Sequence, residues 1–306
     1  MTVDPLIDAG NRGWCARVAC QLEAFAPKPG NVHPGADYPD LSHAELLAAA
    51  EAIVPAVQAA PKVSLGRTIL QAVIATRRVT RSNANLGIVL LLAPLASVPD
   101  GEPLEEGVAE VHSTTSPVDA VEVFEAIRMA RPGGMGTSER HDLCGPAPVD
   151  LLEAMRVAAG RDRIAWLWAN DFRGLFELVI PCLESGLGAS PAGVAVDRGI
   201  VRAFLEILAR WPDSHIARRH GHSVAEEVSS QAARVLDCGE GWWEAARSLD
   251  IELRRHPRRN PGTTADLVAA GLFTMLRGGW RPQTLTASHD RHGEGIVSSI
   301  DREKVR

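Results

Sequence analysis

Apolar residues recur at steps of three and four along most of this chain, which is the period of an amphipathic helix. The rhythm holds from residue 6 to 25 and stops at Pro27 and Pro29, whose rings cannot continue a helix. Ser42-His43-Ala44-Glu45 has the form of a capping box, so a helix is predicted to follow it over 46–60. The same period predicts helices over 65–79, 87–96, 103–111 and 117–130. The last of these opens with Ser116 as cap and Pro117 in the first position, and Arg131-Pro132-Gly133-Gly134 stops it. Further helices are predicted over 149–159, 164–184 and 194–208. A second capping box, Ser223-Val224-Ala225-Glu226, heads a segment running to 237, and 242–255 and 264–276 complete the set. No stretch alternates in steps of two with Val, Ile and Thr, so no sheet is predicted. The expectation is an all-α fold of about ten helices, one domain over 1–282 with a central polar cleft. Residues 283–306 are polar and offer no apolar face, so a disordered tail is expected there.

Composition narrows the class. Apolar residues make up 45% and charged residues 23% of the 306, which is ordinary for a globular chain and excludes wholesale disorder. The net charge of −6 and the absence of a long basic tract argue against nucleic acid as a partner. Positive charge is nevertheless concentrated at Arg77, Arg78 and Arg81, at Arg218 and Arg219, and at Arg254, Arg255, Arg258 and Arg259. Such clusters on an acidic chain suit a small anionic ligand. The longest apolar run, 86–96, falls well short of the ~20 residues that cross a bilayer, so no membrane partner is expected. The five cysteines include no C-x-x-C pair, which gives neither a zinc site nor a disulfide framework. With no basic leader before residue 10, a cytoplasmic location is expected. The seven tryptophans serve either core packing or a homo-oligomer interface.

On a helical scaffold the chemistry belongs to the loops, where polar backbone can face a ligand. Glu23 precedes Pro27-Lys28-Pro29-Gly30-Asn31-Val32, where two prolines stiffen the chain around a lysine suited to phosphate and Gly30 permits close approach. Taken alone, that stretch is equally a helix terminator. Asn83-Ala84-Asn85-Leu86-Gly87 stands before a helix as an anion or ribose site, or as a plain asparagine cap. Asp213-Ser214-His215-Ile216-Ala217-Arg218 offers a metal-ligating carboxylate and a phosphate-pairing arginine with His215 on the same face, or a capped short helix. Asn260-Pro261-Gly262-Thr263-Thr264-Ala265-Asp266 places a carboxylate on a first helical turn, or is a variant capping box. Gly133-Gly134-Met135-Gly136, followed by Glu139, His141 and Asp142, reads as a lid with an acidic end.

In this order the four motifs resemble the triphosphoribosyl-dephospho-CoA synthase family, and they span Glu23 to Asp266. The resemblance implies an all-α enzyme that transfers a triphosphoribosyl group from ATP to 3′-dephospho-CoA or a related nucleotide-like acceptor. The acceptor's 2′-hydroxyl attacks the anomeric carbon and adenine leaves, through an oxocarbenium-like centre. It also implies roles for the residues. Glu23, Asp142 and Asp213 become catalytic carboxylates. Lys28, Gly30, Asn31, Asn83, Asn85, His215 and Arg218 become contacts for substrate and phosphate, and Asp213 with Asp266 would hold Mg²⁺. Family members carry Asn-Thr-His-Lys-Gly where this chain has Asn83-Ala84-Asn85-Leu86-Gly87, so a histidine and a lysine are missing. That departure marks a divergent branch and keeps open another cofactor pathway, such as the carriers of one-carbon metabolism. A metal-dependent ribosyl-bond hydrolase and a non-catalytic helical binding protein remain the rival readings.

Overall fold

A computed structural model describes residues 11–133, 143, 145–188, 196–255 and 257–282. Its helices, in chain order, are α1 (Arg12–Phe25), α2 (His43–Ala52), α3 (Val54–Ala59), α4 (Leu65–Val79), α5 (Leu86–Ser97), α6 (Leu104–Ser113), α7 (Pro117–Ala130) and α8 (Leu151–Ala158). They continue as α9 (Arg163–Ala169), α10 (Ile180–Gly188), α11 (Val196–Arg210), α12 (Ser214–His220), α13 (His222–Leu236), α14 (Trp242–Arg254) and α15 (Gly262–Arg277). Among the described residues there is no strand, only isolated bridges between His33 and Ala36 and between Tyr38 and Leu41. The chain is a single all-α domain, as expected, with more helices than the ten anticipated.

Local breaks account for the extra helices. Pro55 divides the segment after Ser42 into α2 and α3, because a proline lacks the N–H a continuous helix would use. The predicted 164–184 helix is interrupted by Asp171 and Phe172, both left-handed at φ 47° and 59°, and by a π segment at Leu175–Val179. The capping boxes at Ser42 and Ser116 form as predicted. Two others do not. Ser223 lies inside α13, whose cap is Gly221, and Thr263 lies inside α15, whose cap is Pro261. The expected tail at 283–306 lies outside the described residues.

Two helices, α5 and α15, are apolar around nearly their whole circumference, the mark of an interior helix. They pack on each other, and α15 also packs on α1, α10, α11 and α12. The last carbonyls of α5 are satisfied by Arg12, which donates to Ala96 O at 2.8 Å and Val98 O at 2.9 Å while pairing with Asp100 at 3.0 Å. Arg277, the last residue of α15, reaches Leu95 O of α5 and Asp100, each at 3.5 Å, which joins the two C-terminal ends. At the other end Gly87 of α5 lies against Asp266 of α15, so the two N-terminal turns face the same side. Among the described residues no helix is long and apolar enough to cross a membrane.

Candidate active site

The loop that leaves α1 is built to hold shape. Gly30 is left-handed at φ 78°, and a Cβ there would sit 2.8 Å from Arg259 O and 2.9 Å from Pro261 Cδ. Its N–H donates to Asp250 Oδ1 at 2.8 Å, and the Tyr38 hydroxyl donates to its carbonyl at 2.6 Å. Gly30 therefore serves close packing against the turn before α15 and does not line a cavity, which corrects its expected role as a ligand contact. Lys28 is corrected too. Its side chain is 0% exposed, its ammonium lies 2.9 Å from Glu23 Oε1, and it donates to the carbonyls of Glu23 and Ala26. All three of its N–H donors are used inside the protein, so none is left for a phosphate.

Before α5, whose cap is Asn85, Asn83 Oδ1 accepts from Leu86 N at 3.3 Å, while Asn85 Nδ2 donates to Ala49 O at 3.4 Å. Gly87 follows, and a Cβ on it would lie 2.0 Å from Asp266 Oδ2. The Asp266 carboxyl thus rests on the first turn of α5, where helical N–H groups lack intrahelical partners. No hydrogen bond to Asp266 is seen among the described residues, and burial raises its carboxyl well above the usual range, reinforced by the charges of Glu23 and Asp213.

Asp213 is placed differently from its expected part as catalytic base and metal ligand. It is buried, with Oδ1 accepting from Ile216 N at 3.0 Å and Oδ2 accepting from Thr264 N at 2.7 Å and Thr264 Oγ1 at 2.8 Å. Together with the Ser214–Thr263 hydroxyl contact at 3.0 Å, it locks the start of α12 to the start of α15. The carboxylate caps helices and positions the turn that bears Asp266.

His215 packs against Gly262, where a Cβ would lie 2.7 Å from Nδ1. Burial, with the Arg218 and Arg219 guanidinium groups beside it, pushes its pKa down to about 4. The folded protein therefore keeps His215 neutral while the unfolded chain protonates it near pH 6.5. Stability from this source is complete above pH 6.5 and is lost as the pH falls towards 4. In His215→Gln, urea midpoints measured across that range are expected to fall less steeply, by up to about 3 kcal/mol at the acid end.

The loops converge on one cavity of about 810 Å³. Glu23, Asn31, Asn83, Asn85, His215, Arg218 and Asp266 all line it, so the expected central polar cleft is present. Asp142 lies outside the described residues. Arg219, read with Arg218 as a cluster for a small anion, lines the cavity as well. Sequence reasoning missed several other members of the wall. Arg131, at the end of α7, and Arg161, just past α8, line it, and no described carboxylate pairs with any of these three arginines. Asp162 accepts from Ile164 N and Ala165 N, at 2.9 and 3.0 Å, and pairs with Arg218. Tyr38 stands between Arg254 and Arg258, whose guanidinium carbons lie 5.0 and 4.4 Å from the ring centre. The signal for Arg131 and Arg161 was their place at helix stops, where a side chain leaves the scaffold. Among the described residues no group of three His, Cys, Asp or Glu side chains forms a ready metal cage.

Comparison with known proteins agrees with this geometry. No curated protein matches the chain. A solved structure from Archaeoglobus fulgidus, provisionally assigned as a triphosphoribosyl-dephospho-CoA synthase, is 26% identical with a TM-score of 0.60. The match covers 77% of this chain and 100% of that one. The family profile described as ATP:dephospho-CoA triphosphoribosyl transferase matches residues 10–284, nearly the whole length. The chain belongs to the ATP:dephospho-CoA triphosphoribosyl transferase family.

Proposed function

We propose that the protein transfers the triphosphoribosyl group of ATP to the 2′-hydroxyl of 3′-dephospho-CoA or a closely related nucleotide, releasing adenine. The observation that carries this reading is the convergence on one cavity of Glu23, Asp266 and arginines that pair with no carboxylate among the described residues. A triphosphate needs fixed positive charge, and Arg131, Arg161 and Arg219 supply it, with Arg81 on the same wall. These cations offset the loss of the family motif's histidine and lysine, whose places are taken by Asn85 and Leu86 in the cavity wall.

Mg²⁺ fits the donors that are present. This ion keeps most of its waters and is held by one or two carboxylates together with substrate phosphates, so it needs no three-ligand cage. Asp266, with no hydrogen bond among the described residues, is its protein ligand in this proposal; Asp213, with both oxygens occupied, is not. When bound, the ion neutralises phosphate charge.

Glu23 keeps one oxygen on Lys28 and lines the cavity, which suits it to receive the acceptor's proton. As the O–C1′ bond forms, the C1′–N9 bond breaks and the hydroxyl proton passes to Glu23; adenine leaves with a proton taken from solvent water, and Glu23 returns its own to solvent. Neutral His215 can donate or accept a hydrogen bond without adding charge beside the oxocarbenium-like centre. The ATP pool places such a reaction in the cytoplasm.

The test is incubation with ATP, Mg²⁺ and dephospho-CoA, followed by mass spectrometry for adenine and for the joined nucleotide. Adenine released only with the acceptor present supports transfer. Equal adenine release without acceptor would make the protein a hydrolase, and none under either condition would remove the reading.

A further inference from the structure

Asn31 carries a feature that the proposed reaction has not used. It is 5% exposed and lines the cavity, and its Oδ1 is buried without a hydrogen-bond partner among the described residues. The amide orientation is fixed by its neighbours. Nδ2 donates to Asn260 Oδ1 at 2.6 Å and faces the carbonyl of Pro261 at 3.4 Å. A backbone carbonyl only accepts, so the atom facing it is the NH₂ group and the oxygen is turned the other way. The loop around it is clamped as well: Arg254 donates to the Asn31 carbonyl, and the neighbouring Gly30 is held by Asp250 and Tyr38.

A buried acceptor left without a donor costs free energy, and native proteins seldom tolerate one unless a ligand or water completes it. Phosphate oxygens at neutral pH are acceptors and cannot fill this need. We infer that Asn31 Oδ1 accepts a hydrogen bond from a hydroxyl or amino group of a bound nucleotide, and thereby reads its sugar or base. This rests on the nucleotide reading above and changes the part expected of Asn31 from phosphate contact to specificity determinant. A rigid acceptor rejects an analogue that lacks the donor, because the oxygen is then desolvated and unmatched.

Calorimetric binding of Mg·ATP and of dephospho-CoA to the wild-type protein and to Asn31→Leu and Asn31→Ala tests the assignment. One of the two nucleotides is expected to bind the variants about tenfold more weakly, while the other is unaffected. For the affected nucleotide, analogues lacking a single group are compared: 2′-deoxy, 3′-deoxy, and the purine form without its 6-amino group. The wild-type protein should lose about tenfold on one of these, and the variants should lose nothing further on that same analogue. That pattern names sugar or base as the source of the donor, and it is readable on the wild type even if a variant folds poorly. Unchanged affinity in the variants, or an equal loss on every analogue, overturns the assignment. Failure of the wild type to bind either nucleotide would instead refute the proposed function and this inference with it.

Discussion

Asp266→Asn is expected to yield a protein that melts higher and turns over little or no substrate. Burial and the nearby carboxylates raise the Asp266 carboxyl well above its value in an unfolded chain. The folded state therefore binds that proton more tightly than the unfolded state does. Stability from this source is present below the unfolded value near pH 4 and is lost as the pH rises through the folded value. Asparagine has the same shape and no such loss, so its advantage should grow with pH. A gain of about 1–2 kcal/mol near neutrality is reasonable, read as a few degrees in melting temperature. Turnover should drop by on the order of 100-fold, because the lost charge is the one aimed at the metal-bound triphosphate. A lower melting temperature at neutral pH would mean that Asp266 is satisfied by the fold and is no strained functional group.

Lys28→Met should act in the opposite direction. Removing the ammonium leaves Glu23 buried beside two carbonyls that it no longer separates, at an expected cost of about 3–5 kcal/mol. The double variant Glu23→Gln with Lys28→Met should recover much of that loss, since a buried pair replaced whole is often near neutral. Urea denaturation of the three proteins measures this directly. If Lys28 were a phosphate contact, its removal would leave the folding midpoint where it is and weaken nucleotide binding instead.

The sequence made the helices legible because each carries its own apolar stripe, and the starts of α2 and α7 because their caps are local side-chain chemistry. It did not show that Ser223 and Thr263 fall within helices begun earlier by Gly221 and Pro261, since backbone geometry decided those starts. The motif loops were found because unusual residue types cluster in them. Which member of a motif faces the ligand was another matter. Lys28 and Asp213 have the right chemistry for phosphate and metal, yet both are consumed by neighbours brought close only by the fold. Arg131 and Arg161 look like ordinary solvated charges in the sequence, and only the packing of α7, α8 and α12 around the cavity joins them to Arg218 and Arg219. Gly87 and Gly262 gain their meaning likewise from the side chains of Asp266 and His215 laid across them.

The reaction proposed for this protein turns on Asp266 as a carboxyl ready to ionise onto a metal-bound polyphosphate. Titrating ATP into the wild-type protein and into Asp266→Asn, each with and without Mg²⁺, tests it most directly. The wild type should bind ATP at least about tenfold more tightly with the metal present, and the variant should lose that increment. An Asp266→Asn protein that keeps the full Mg²⁺-dependent gain would contradict the claim.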